Sequence, residues 1–190
     1  MSSAKWSDAD SGRGRSRIED YGLIGDQHTA ALVGRDGSID WFCAPRFDSA
    51  ACFAALLGGP EHGRWRIAPA AEVRRVRRRY RPDTLILETE FETDTGRCLL
   101  IDCLSMEGPT PNLLRLVRGL SGRVPLRMEL TIRFDYGRQV PWVSQTEEGA
   151  LLAVAGPHLL VLRTPVALRG ENFATVSAFE LAAGEEVPFV

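Results

Sequence analysis

The sequence predicts an all-β fold, an antiparallel β-sandwich with one short helix, and three observations carry that prediction. Apolar and polar residues alternate over long stretches. Turn signals return roughly every 8 to 15 residues, and one segment alone has helical character. Residues 1–16 are rich in serine and mixed charge without apolar periodicity, so they read as a mobile tail, leaving 17–190 as the folded domain. In "TAALVGRDGSIDWF" two apolar runs flank Gly34-Arg35-Asp36-Gly37, and Asp-Gly between such runs signals a hairpin. The helical candidate follows as "SAACFAALLGG" at 49–59, with Ser49 as N-cap and Gly58 as stop. In "TLILETEFET" Leu85, Leu87, Thr89 and Phe91 share one face and Glu88, Glu90 and Glu92 the other, before Asp94-Thr95-Gly96 turns into "RCLLIDCL". The clearest strand is "PLRMELTIRFDYG", in which Leu126 through Tyr136 alternate apolar with Arg127 through Asp135. That period of two means one buried and one wetted face. "LLRLVRGL", "ALLAVAG", "HLLVLRT" and "FATVSAFEL" complete the strands.

Composition narrows the function. The 190 residues carry 23 basic and 25 acidic side chains, a net charge of -2, which excludes a globally basic nucleic-acid binder. No apolar run approaches the ~20 residues of a membrane-spanning helix, and the N-terminus lacks the apolar core of a signal peptide. The expectation is a soluble cytoplasmic domain with neither a nucleic-acid nor a membrane partner. Cys43, Cys52, Cys98 and Cys103 form no Cys-x-x-Cys pair and sit in apolar contexts, so they read as ordinary buried thiols. His28, His62 and His158 are scattered; no metal and no cofactor are expected.

Three segments hold residues suited to chemistry. "RRVRRRYR" packs six arginines around Val76 and Tyr80. These could grip phosphates, but the acidic strand that follows is a natural partner, and pairing the two in a hairpin neutralises both. "DWFCAPRFDS" places Trp41, Phe47 and the Arg46/Asp48 pair together. Flat aromatic faces stack on sugar rings, and a guanidinium beside a carboxylate can bind vicinal hydroxyls. The ordinary alternative is an internal ion pair holding a loop. "RFDYGRQVPW" is a second such cluster, with Asp135, Tyr136, Arg138 and Trp142. A glycosidase needs two carboxylates roughly 5 to 10 Å apart. Asp40, Asp48 and Asp135 are available, yet no spacing singles out a pair, and no catalytic residue is assigned.

The run "IEDYGLIGDQHTAALVGRDGSIDWFCAPRFDS" resembles the N-terminal signature of bacterial glycoside hydrolase family 15 proteins, the trehalase-like and glucoamylase-like enzymes. The resemblance continues through "GRWRIAP", "RRRYRPDTLILETEF", "RLVRGLSGRVPLRMEL", "RFDYGR", "PHLLVLRTPV" and "GEEVPFV", covering about residues 17–190. It implies a trehalase-like N-terminal β-sandwich that precedes an (α/α)6 barrel bearing both catalytic glutamates. The sequence departs from that pattern by stopping at Val190, so no catalytic acid or base is carried over. The implied role is an accessory domain that packs against the catalytic (α/α)6 domain, lends loops near an α-glucoside substrate, and hydrolyses nothing alone. Trp41, Arg46, Phe47 and Asp48 are the residues expected at that rim. A stand-alone carbohydrate-binding module, or an oligomerisation domain acting as a homo-oligomer, is the alternative. The first needs an exposed aromatic platform and the second a large uncovered apolar patch, so the burial of Trp41, Trp65 and Trp142 separates them.

Overall fold

The computed structural model describes residues 17–108 and 110–190; the tail expected over 1–16 lies outside the described residues. The chain is built of strands: β1 (Gly22–Gly25), β2 (Ala30–Val33), β3 (Ser38–Cys43), β4 (Ala51–Phe53), β5 (Arg64–Pro69), β6 (Val73–Tyr80), β7 (Leu87–Thr93), β8 (Gly96–Ser105) and β9 (Asn112–Thr131). A smaller group follows, β10 (Trp142–Gln145), β11 (Leu151–Ala155) and β12 (His158–Leu162), and then β13 (Arg169–Glu171), β14 (Ala174–Ala182) and β15 (Glu186–Phe189). All pairings are antiparallel.

The fold turns on β9. Its first half lies between β8 and β15, its second half between β5 and β14. The strand changes sheets where Leu120 is left unpaired by a bulge opposite Arg97 and Cys98, close to Gly122 at φ +65°. A bulge bends and twists a strand locally, so one strand can form the corner of a sandwich. Sheet one is β1-β2-β3-β5-β9-β14-β13, with β4 on β3; sheet two is β6-β7-β8-β9-β15. The predicted strands "LLRLVRGL" and "PLRMELTIRFDYG" are therefore two halves of one. The alternation of the second persists to Phe134, but the strand ends at Thr131 because Asp135 and Tyr136 take left-handed backbone at φ +50° and +57°.

The helix expected at 49–59 is absent. Ala51–Phe53 pairs with β3 instead, with all three side chains buried, and only a 3-10 turn at Ala55–Leu57 follows. Ser49 is no helix cap; its hydroxyl accepts from the Arg46 N–H at 3.2 Å. Helix propensity in a short alanine-rich run is weak, and an open edge on β3 outweighs it. The Asp-Gly hairpin forms as expected. Gly37 sits at φ +80°, and a Cβ there would lie 2.2 Å from the Ile67 carbonyl oxygen, so glycine is required.

Between the sheets Phe42, Phe53, Phe91, Leu126 and Met128 form one continuous core, and Trp65 of β5 meets Phe189 of β15 edge-to-face at 6.4 Å. Inside that core lies an ion pair. Arg115 and Asp102, directly opposite on β9 and β8, are both fully buried, with Nε to Oδ1 at 2.8 Å. Arg115 also donates to the carbonyls of Trp65 at 2.6 Å and Gly37 at 2.7 Å, and its guanidinium lies 5.2 Å from the centre of the Trp65 ring. These bonds satisfy a charge that would otherwise be costly to bury, and they tie β9 and β8 to the hairpin and to β5.

Candidate functional site

Strand direction brings five connections to one end of sheet one. β3 and β9 run out there, and β2, β5 and β14 start there, as the pairings Ala31↔Phe42, Arg64↔Thr131 and Thr175↔Leu130 require. The segments Asp26–Thr29, Ala44–Ala50, Pro60–Gly63, Ile132–Arg138 and Asn172–Phe173 consequently share one rim.

The loop after β3 is strapped down at its base. Asp26 accepts from the backbone N–H of His28 at 2.9 Å and of Thr29 at 2.8 Å, and Thr29 donates to the Cys43 carbonyl at 2.5 Å. The Phe47 N–H donates to the His28 carbonyl at 3.0 Å. The Ala44–Pro45 peptide is cis. Ser49 N–H donates to the Arg46 carbonyl at 3.0 Å, closing a turn whose two flanks carry Arg46 and Asp48. Their pair forms at 3.1 Å, Nε to Oδ1, with the side chains 62% and 61% exposed. This turn sets the two side by side. Phe47 stands between them, 68% exposed.

Trp41 sits lower. It is half-buried against Cys43, Ala51 and Ala54, and its ring lies 6.0 Å from that of Tyr136 at 40°. Tyr136 is held there by its N–H on the Ala51 carbonyl at 3.2 Å. The two sequence clusters thus meet through Trp41 and Tyr136, with one exception. Trp142 leaves on β10, 81% exposed, lining an open groove of about 1020 Å³ with Val143, Leu168 and Phe173. Of the remaining tryptophans singled out, Trp65 is buried.

The carboxylates are each engaged. Asp48 pairs with Arg46, Asp135 lies 3.7 Å from Arg138, and Asp40 accepts from the Tyr21 hydroxyl at 2.7 Å. Burial pushes the Asp40 carboxyl up from its ordinary value, with the Tyr21 hydrogen bond opposing. None is set as an unpaired acid opposite a base. The rim offers an aromatic face, a guanidinium with spare N–H groups and a carboxylate, which is recognition chemistry. Sequence reasoning missed Phe173. It occupies the second central position of the two-residue Asn172–Phe173 turn at φ +60°, 84% exposed, its carbonyl accepting from Arg133 at 3.3 Å.

The remaining candidates are settled by their neighbours. The arginine run forms β6, paired with β7 so that Arg75, Arg77 and Arg79 face Glu92, Glu90 and Glu88. Cys43, Cys52 and Cys98 are buried, with burial pushing the thiols of Cys52 and Cys98 up to about 12; Cys103 is half-buried. No helix among the described residues is long and apolar enough to cross a membrane.

A family model described as trehalase-like, N-terminal, matches residues 6–173. A trehalase of Mycolicibacterium smegmatis is 38% identical over 141 residues, which is 64% of this chain and 21% of that protein. A trehalase of Mycobacterium tuberculosis is 36% identical over 140 residues, 64% of this chain and 20% of its own. Trehalase 2 of Sulfolobus acidocaldarius is 35% identical over 117 residues, 62% and 19% respectively. The chain spans about a fifth of the length of these relatives. No solved structure matches.

Proposed function

The chain belongs to the trehalase-like N-terminal family, and from that membership we propose that it serves as the accessory β-sandwich of a longer α-glucoside hydrolase acting on trehalose or a related sugar. The catalytic carboxylates belong to the remaining polypeptide. The sandwich contributes the Trp41–Asp48 rim, which meets substrate hydroxyls or backbone carbonyls of the catalytic (α/α)6 part.

One observation carries this reading. Phe47 and the Arg46–Asp48 pair project into solvent from a loop whose base is fixed by Asp26, Thr29 and the His28 carbonyl. An exposed aromatic costs apolar hydration, and a preset guanidinium orients its donors without further loss of freedom on binding. Such a loop suits contact better than support.

The test compares two contexts. In the isolated chain Arg46→Ala and Asp48→Ala should cost only about 0–1 kcal/mol, as expected of an exposed pair. In the longer polypeptide the same changes should lower turnover of trehalose or another α-glucoside by tenfold or more. The isolated chain should release no glucose. Unfolding of the isolated chain by either substitution, with turnover per folded molecule unchanged in the longer protein, marks the loop as structural and sinks the assignment.

A further inference from the structure

The small sheet β10-β11-β12 breaks the rule that an antiparallel sheet with one covered face is polar on the other. Its inner face is in the core: Leu151, Ala153 and Leu162 are buried, and Leu160 packs against the same cluster. The register places Trp142, Val154 and Leu159 directly opposite one another across the three strands, on the other face. Ser144, Leu152 and Val161 form the next row of that face. Trp142, Val154 and Leu159 are 81%, 43% and 61% exposed. The runs Leu151–Ala155 and His158–Leu162 therefore read as strands buried on both sides, while one side is open.

A second observation adjoins it. Two-residue hairpins with both central residues at positive φ favour Asn-Gly, because a side chain at the second position is strained. Here Asn172 and Phe173 sit at φ +50° and +60°, and the aromatic side chain points into solvent beside the Trp142 groove. Backbone strain at an exposed phenyl ring costs this chain stability, and a contact made by the ring would offset that cost.

We infer that this face, the outer side of β10–β12 with the Phe173 tip, is covered by the further polypeptide of a longer trehalase-like protein. Three arguments select that occupant. About four-fifths of each relative lies outside the matched region. The main chain at Val190 exchanges both backbone hydrogen bonds with Arg163, one residue past β12, at 2.8 and 3.0 Å, so whatever follows emerges beside this sheet. Val154, Leu159, Leu152 and Val161 form an aliphatic surface, which suits apolar side chains, while the polar groups Ser144, Gln145, Arg169 and Glu171 lie in the adjoining groove beside Trp142. The inference rests on the accessory-domain reading and specifies its docking face.

Trp142→Ser and Leu159→Ser are to be compared in the isolated 190-residue chain and in the longer polypeptide. The isolated chain should keep its melting temperature or gain slightly. The longer protein should lose about 2 °C or more per substitution. Trp142→Cys gives a second readout that does not depend on thermal behaviour: its thiol should be alkylated at least tenfold more slowly in the longer protein than in the isolated chain. Equal melting shifts and equal alkylation in the two contexts overturn the assignment. So does self-association of the isolated chain that Trp142→Ser abolishes, which gives the face to a second copy. Trehalose-dependent fluorescence changes lost in Trp142→Ser overturn it in favour of sugar. Removing residues 1–190 from the longer protein separates the two levels. If removal leaves its stability and turnover unchanged, the accessory-domain reading fails; if removal is harmful while the Trp142 variants are silent, only the face is wrong.

Discussion

β6 and β10 are both edge strands, and they end their sheets in opposite ways. β6 presents arginines whose charges are met within the chain. Arg74 makes two bonds to Asp94 at 2.7 and 2.9 Å, and Arg79 and Arg81 both reach Glu88, at 2.8 and 2.7 Å. A charged edge resists further strand addition and is finished in water. β10 presents Trp142 and Val143, exposed, beside a sheet apolar on both faces. The comparison teaches that charge density is a poor guide to where this protein meets its surroundings. Most of the basic stretch is met by carboxylates of its own chain, whereas the surface left open among the described residues is aliphatic and aromatic.

A substitution in the core common to both regions sets the upper scale. Arg115→Met removes the partner of fully buried Asp102 and two further bonds, to the Trp65 and Gly37 carbonyls, and should cost about 3–5 kcal/mol in urea unfolding of the isolated chain. A loss below 1 kcal/mol means that Asp102 has been neutralised or hydrated, and that the pair does not tie the sheets together.

Glu88→Gln probes the finished edge. The carboxylate is nearly inaccessible and accepts from two arginines, so its loss should cost about 1.5–3 kcal/mol near neutral pH. The Arg81 hydrogen bond, opposed by burial and aided by Arg79, holds the Glu88 carboxyl below its ordinary range. A lowered folded pKa means that the unfolded chain binds the proton more readily. The stabilisation is therefore full above the unfolded value of about 4.3 and fades as pH falls through the lower folded value. The gap in urea midpoint between parent and Glu88→Gln should narrow on acidification. A gap independent of pH removes the ion pairs from the account.

Phe173→Gly probes the unfinished edge and has the smallest effect. Relief of left-handed strain, offset in part by glycine's greater freedom in the unfolded chain, should raise the stability of the isolated chain by roughly 0.5–1 kcal/mol. The longer protein should gain nothing, because the covered ring is lost at the same time. An equal gain in both leaves Phe173 without a contact.

Much of this architecture is legible in the sequence, because period-two alternation and turn chemistry are local. The Asp36-Gly37 hairpin, the pairing of the arginine run with the glutamate strand, and the alternating half of β9 follow from neighbours in the chain. The union of two predicted strands into β9 does not, since the bulge at Leu120 is fixed by what lies on either side of it. The helix at 49–59 failed for the same reason: the edge of β3 is a long-range partner. The buried pair left a signal that could have been used. Arg115 alternates in phase with Leu113 and Val117, and Asp102 with Leu100 and Leu104, which puts one charge on each of two apolar faces. At the rim, the Arg46–Asp48 neighbourhood was visible, but the approach of Tyr136 to Trp41 depends on the turn after β9, and the prominence of Phe173 on a backbone angle that residue type argues against.

If the docking face is rightly assigned, the apolar edge is covered in a longer trehalase-like protein and the arginine edge is not. Hydrogen–deuterium exchange compares the two directly. Residues 140–145 and 172–173 should gain protection in the longer polypeptide relative to the isolated 190-residue chain, while 73–81 exchange at the same rate in both. Protection gained at 73–81, with 140–145 and 172–173 unchanged, would contradict the account.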